Sequence, residues 1–199
     1  MTRTFVAIEL GDAARAHLAR EMARLGRALP WVRWVDPNGV HLTLAFLGEL
    51  DDTRLAAVYA ASEEVAPLVE PFVLRAGRLG AFGTERAPRV VWMGVEGAVA
   101  QLARLRMALV EALAARGFAR DARPFAPHLT LARLRTPPTS ERATQLWELV
   151  REQGQRGATV SIEARQLGVM RSELTRPVAR YTCLRAVLLG SGPRPERSG

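Results

Sequence analysis

The chain has 199 residues, 48% of them hydrophobic, with 28 basic and 20 acidic residues, one cysteine and a formal net charge of +8. That is enough apolar material for a sizeable core, while the single cysteine, Cys183, excludes an internal disulfide framework and a cysteine-rich zinc site. No apolar run reaches the roughly 20 residues that a membrane span needs, and the opening MTRTFVAIEL lacks a signal peptide's apolar segment and cleavage site, so a cytoplasmic protein with no membrane partner is expected.

Every basic residue is arginine, and lysine is absent. The positive charge points to an anionic partner, nucleic acid above all, although the wealth of Arg and Ala also has the look of a coding bias. Without lysine the chain cannot form a lysyl-nucleotide intermediate or a P-loop.

In chain order, residues 4–10 predict a strand, and Gly11-Asp12 opens a helix whose apolar stripe is Leu18, Met22, Leu25 and Leu29. His17 lies beside that stripe and reads as a surface histidine, and Pro30 ends the helix. Residues 31–35 read as a strand and Asp36-Pro37-Asn38-Gly39 as a turn, so a hairpin into the following HLTL is predicted. Asp51-Asp52 caps a second helix, with Leu55, Val58, Tyr59 and Val65 on its apolar face, which stops before Pro67. Strands are predicted over residues 72–79 and 89–95, with an exposed loop over 80–88 that carries Phe82 and Arg86. Residues 97–116 predict a core-facing helix with Leu102, Leu105, Leu109 and Leu113 in line and Gly117 as its terminator.

The irregular stretch 118–127 carries Arg120, Arg123 and Phe125 into a second HLTL, and basic and aromatic side chains in that place fit RNA ends. A further helix carries Ala143, Leu146, Trp147 and Val150 to about Gly154, and strands follow over 159–170 and 181–189. The tail 191–199 is expected to be disordered, after a single bilobal domain over 1–190.

The feature that organises these elements is a repeat: HLTLAFL at 41–47 returns as HLTLARL at 128–134, six of seven positions matching. Two of the chain's three histidines sit in it. In a strand, residues two apart share a face. His41 and Thr43, like His128 and Thr130, therefore project together, while Leu42, Leu44, Leu129 and Leu131 face a core. If the copies meet across a cleft, two imidazoles and two hydroxyls surround a phosphate-sized space. One imidazole can take a proton from a nucleophile while the other protonates the leaving oxygen, and the hydroxyls can hold the non-bridging oxygens. An HLTL strand in each half of the chain suggests an α+β fold of two pseudo-symmetric lobes, each a mainly antiparallel sheet with helices on its outer face, and an active-site cleft between them.

Two HxTx tetrads in a chain of this size resemble the two-histidine phosphoesterase superfamily. More narrowly, RTFVAIEL, WVDPNGVHLTLAFLGEL, RPFAPHLTLAR and RSELTRPVARYTCL resemble the RNA 2′,3′-cyclic phosphodiesterases, also described as 2′,5′ RNA ligases. The sequence departs from that pattern at Arg176-Pro177-Val178-Ala179, where a glycine-containing turn is typical. The resemblance implies hydrolysis of RNA 2′,3′-cyclic phosphate ends to 2′-phosphomonoesters without metal or cofactor, and reversible ATP-independent 2′-5′ ligation in which a 5′ hydroxyl attacks the cyclic phosphate. It implies His41 as proton donor to the 3′ oxygen, His128 as acceptor from water, and Thr43 and Thr130 on the phosphate. Arg133 is an expected helper, although strict alternation puts it on the leucine face. Arg123 and Phe125 are expected to bind substrate. The implied partner is RNA with cyclic phosphate ends, such as tRNA fragments, and the protein is expected to be a monomer. The alternatives are another two-histidine phosphoesterase, acting on cyclic nucleotides or RNA 3′ ends, and a non-catalytic RNA-binding protein.

Overall fold

In the computed structural model the described residues are 1–121, 124–154, 160–173 and 179–190. Arg123, residues 174–178 and the tail 191–199 lie outside them. The elements run β1 (Thr2–Glu9), α1 (Asp12–Ala28), β2 (His41–Leu50), α2 (Asp52–Val65), β3 (Phe72–Gly83), β4 (Pro88–Gly97), α3 (Val99–Ala114) and β5 (His128–Arg133). They continue with α4 (Ser140–Gly154), β6 (Val160–Ala164), β7 (Gln166–Glu173) and β8 (Arg180–Leu188).

The strands form one eight-stranded sheet in the order β6-β3-β4-β5-β2-β1-β7-β8, with antiparallel neighbours throughout. Its middle is its weakest seam, because β2 and β5 pair only at Leu42↔Leu129. That seam divides the sheet into two quartets, the expected pseudo-symmetric lobes. The run β1-α1-β2-α2 in one lobe matches β4-α3-β5-α4 in the other. The lobes are not the two halves of the chain, however, since β7 and β8 return to the lobe that holds β1 and β2. Only Arg165 links β6, at one edge of the sheet, to β7, the last strand but one at the other end. Successive Cα atoms are about 3.8 Å apart, so the sheet must curl for its ends to approach.

The helical stripes read from the sequence are buried as expected. Leu18, Met22, Leu25 and Leu29 of the first helical run and Leu102, Leu105, Leu109 and Leu113 of α3 join one core with Leu42, Leu44, Leu129 and Leu131. A fully buried leucine contributes about 1.5–3 kcal/mol, so this leucine face of the sheet is where the stability is concentrated. Gly117 stops α3 with φ 79°, and Phe118 N–H donates to Leu113 O while Gly117 N–H donates to Ala114 O. This is the paired closure that a left-handed glycine permits.

Two expectations change. Residues 31–35 do not pair with β2 as a hairpin. Trp34 instead bridges Ala132, and Val35 N–H donates to Leu131 O, so the segment fills the gap where β2 and β5 part. The predicted loop 80–88 is shorter than expected because β3 runs on to Gly83, which places Phe82 on a strand. Gly80 permits this. A Cβ there would lie 2.3 Å from the Trp92 ring, which crosses it from β4. Gly80→Ala is expected to displace that ring and cost about 1–3 kcal/mol by overpacking, read as a lower denaturant midpoint. An unchanged midpoint would contradict this packing.

Candidate active site

The alternation of HLTL puts leucines inward, and the register then decides what meets on the other face. With Leu42 opposite Leu129 in an antiparallel pair, His41 lies across from Thr130 and Thr43 across from His128. The two histidines are a diagonal pair, whose backbones lie roughly 7–8 Å apart in a regular sheet. Each imidazole is held in the same way. His41 Nδ1 is 2.8 Å from Gly39 O and His128 Nδ1 is 2.7 Å from Ala126 O. A carbonyl only accepts, so each Nδ1 carries the proton and each Nε2 is left free for chemistry.

Both tetrads are bulged at their second leucine. Val6 pairs with Ala45 but Ala7 with Thr43, which skips Leu44. Val91 pairs with Ala132 but Trp92 with Thr130, which skips Leu131. A bulge adds one residue and reverses the facing of all that follow. Arg133 therefore does not lie on the leucine face, as strict alternation had it. It lines a cleft of about 260 Å³ with His41, Thr43, Thr130, Phe46 and Tyr181. Phe46 occupies the same place in the first tetrad as Arg133 does in the second, so the bulge turns both toward the cleft. His128 stands beside this cleft rather than in its lining, close enough for its charge to act on His41.

The environments of the two imidazoles correspond. His41 stacks on Phe5 with ring centroids 4.5 Å apart and meets the edge of Tyr181 at 4.9 Å. His128 meets the edge of Phe82 at 4.9 Å, with Trp92 at 6.4 Å. The His41 pKa is lowered to about 4, above all by burial, with the Arg133, Arg15 and His128 charges adding to it and the Gly39 bond opposing it. The unfolded chain would bind this proton near pH 6.5 and the folded one only near 4, so the folded state loses stability as pH falls through that window. The loss reaches at most about 3 kcal/mol. Urea midpoints of the native protein should fall more steeply between pH 6.5 and 4 than those of His41→Ala, and parallel curves would contradict the burial of a neutral His41.

Phe125, expected to touch substrate, does not line the cleft. It packs against the core beneath the Arg106 guanidinium, 4.5 Å from its ring centroid. Arg123 is outside the described residues. Sequence reasoning missed Phe5, Phe46, Trp92 and Tyr181. The likeness of positions 46 and 133 within the repeat was a usable signal for Phe46, whereas the strand pairings that bring in Phe5 and Trp92 leave no local trace. Among the described residues no three His, Cys, Asp or Glu side chains gather as a metal site, and no helix is long and apolar enough to cross a membrane.

The chain is similar in sequence and in fold to known proteins. The chain is 40% identical over 129 residues to an RNA 2′,3′-cyclic phosphodiesterase of Geobacillus stearothermophilus, a match covering 65% of this chain and 41% of that relative. It is 31% identical to one from Methanothermobacter thermautotrophicus, covering 90% of this chain and 95% of the relative. Among solved structures, TT0787 of Thermus thermophilus superposes with TM-score 0.73 and 27% identity over 94% of this chain and 98% of that one. E. coli LigT complexed with 3′-AMP gives TM-score 0.71 at 27% identity over the same shares. A family model described as the 2′-5′ RNA ligase superfamily matches residues 19–173, and to that superfamily the chain belongs.

Proposed function

We propose that the protein hydrolyses RNA 2′,3′-cyclic phosphate ends to 2′-phosphomonoesters by acid–base catalysis between His41 and His128. The observation that carries this reading is the pair of imidazoles on adjoining strands, each tied at Nδ1 to a carbonyl and each leaving Nε2 free. In the proposed step His128 takes a proton from water as its oxygen bonds to phosphorus. The bond to the 3′ oxygen breaks, and His41 protonates that oxygen. Thr43, Thr130 and Arg133 hold the non-bridging oxygens as charge builds on them.

The asymmetry between the lobes supports this division of roles. The leaving 3′ oxygen stays on the ribose, so the donor belongs beside the nucleoside. Phe46 and Tyr181, 56% and 38% exposed, offer apolar rings on the His41 side, where a base can stack. A His41 held neutral in the free protein gains its proton as the substrate's anionic phosphate offsets the nearby guanidinium charge. A donor must hold its proton, and His41 in the free protein loses it as pH rises through about 4. The kcat/KM profile, which reports the free enzyme, should therefore break there, and the break in kcat should lie higher. A kcat/KM profile with no break near 4 would contradict the depressed His41. Ligation is the same displacement with an RNA 5′ hydroxyl in place of water: its oxygen bonds to phosphorus, the bond to the 3′ oxygen breaks, a 2′-5′ linkage remains, and no ATP is needed.

The test is incubation of the protein, with EDTA present, with a short RNA ending in a 2′,3′-cyclic phosphate. A terminal 2′-phosphate is expected. A terminal 3′-phosphate would overturn the leaving-group assignment, and an unchanged RNA would overturn the activity.

A further inference from the structure

Three arginines line the cleft, and the reacting phosphate occupies only one of them in the mechanism above. Arg33, Arg133 and Arg135 all border the cavity that holds His41 and Thr43. Their spacing follows from the backbone. The antiparallel bridge Trp34↔Ala132 sets Arg33 across from Arg133, and Arg135 follows two residues along. Like charges placed opposite one another across a strand pair destabilise it. All three side chains are exposed, and none forms an ion pair with a carboxylate among the described residues. The carboxylate that shares this cleft, Asp36, accepts the Asn38 N–H at 2.9 Å.

A charge count shows what is missing. Among the described residues, three guanidiniums and one carboxylate leave the cleft at +2 while His41 is neutral, and a cyclic phosphate brings one negative charge. At least one more anionic group is therefore matched by the site, on the side away from the two histidines. In an RNA end that group is the internucleotide phosphate next to the terminal nucleoside.

We infer that Arg33 and Arg135 form a second phosphate subsite, which takes the phosphodiester immediately upstream of the cyclic end and so selects oligonucleotides over mononucleoside cyclic phosphates. The inference deepens the proposed function and rests on it. Bidentate guanidinium contacts to phosphate are among the stronger charge-assisted hydrogen bonds, and exposure reduces their effect. The expected preference is about tenfold in kcat/KM.

The experiment compares a mononucleoside 2′,3′-cyclic phosphate with a dinucleotide carrying the same cyclic end. The wild-type protein is set against the double variants Arg33→Ala/Arg135→Ala and Arg33→Gln/Arg135→Gln, whose folding is checked by thermal melting. The wild-type protein should favour the dinucleotide by about tenfold, and the ratio should fall toward one in both variants. The dinucleotide rate should also fall more steeply with salt, by about 0.7 in log–log slope for the added phosphate, and the variants should lose that excess. A wild-type ratio near one, or a ratio unchanged in the variants, would overturn the subsite. If neither substrate turns over, the proposed function fails, and the subsite is then judged by binding of the 2′-phosphate-ended mononucleotide and dinucleotide. Tighter dinucleotide binding that the variants abolish supports the subsite, and equal binding overturns it.

Discussion

Replacing His41 or His128 by alanine is expected to lower kcat on cyclic-phosphate RNA by about 10²- to 10⁴-fold, and the double variant should be little worse than either single one. Two groups that act on the same transition state fail as a unit, so their losses do not add. The structure gives each variant a distinct secondary signature. His41 is stacked on Phe5, so His41→Ala also removes apolar contact and should melt earlier than the native protein. His128 meets Phe82 only edge-on, and His128→Ala should melt closer to the native protein. Single-turnover rates for both variants and their double, with melting temperatures beside them, separate the two effects. Losses that multiply in the double variant would mean that the histidines do not share one transition state.

The second large effect belongs to the threonines. Thr43→Val and Thr130→Val keep the shape of a β-branched strand residue and remove one hydroxyl each from a cleft where charge develops on phosphate oxygens. Removal of a single such donor costs about 10²–10³ in kcat in well-studied sites. Because the donors act on developing charge, KM should change little while kcat falls. The register makes the comparison informative, with Thr43 across from His128 and Thr130 across from His41. Unchanged kcat in both variants would remove the hydroxyls from the mechanism and leave them as strand formers.

How much of this was legible in the sequence depended on how local the cause was. HLTL announced its own faces, and Leu42 and Leu129 are fully buried where alternation put them. The stripes of α1 and α3 were equally plain, and so was Gly117 as a terminator, because caps and periodicity are written within a few residues. Alternation failed at Arg133 for a physical reason. The bulge at Leu131 depends on the partner strand β4, and no residue within HLTLAR signals it. The bulge at Leu44 is likewise set by its partner strand, β1. Phe125 misled because an aromatic beside a basic residue has the same composition whether it waits for a base or, as here, is covered by Arg106. Residues 31–35 do carry an extended pattern, but they find their partner in β5 rather than β2, a choice made by the divergence of the two tetrad strands. Tyr181 reaches His41 from β8 through a sheet that curls, and long-range placement of that kind leaves no mark on spacing.

Nitrogen NMR of the histidine rings observes directly whether the two Nε2 atoms face one phosphate. The chain has only three histidines, and His17, on α1, serves as an internal control. On titration with a nucleoside 2′-phosphate, the Nε2 resonances of both His41 and His128 should move in parallel, with both Nδ1 atoms protonated throughout and His17 unchanged. Movement at only one of the two rings, or a protonated Nε2 with a bare Nδ1 at either, would contradict a shared acid–base site.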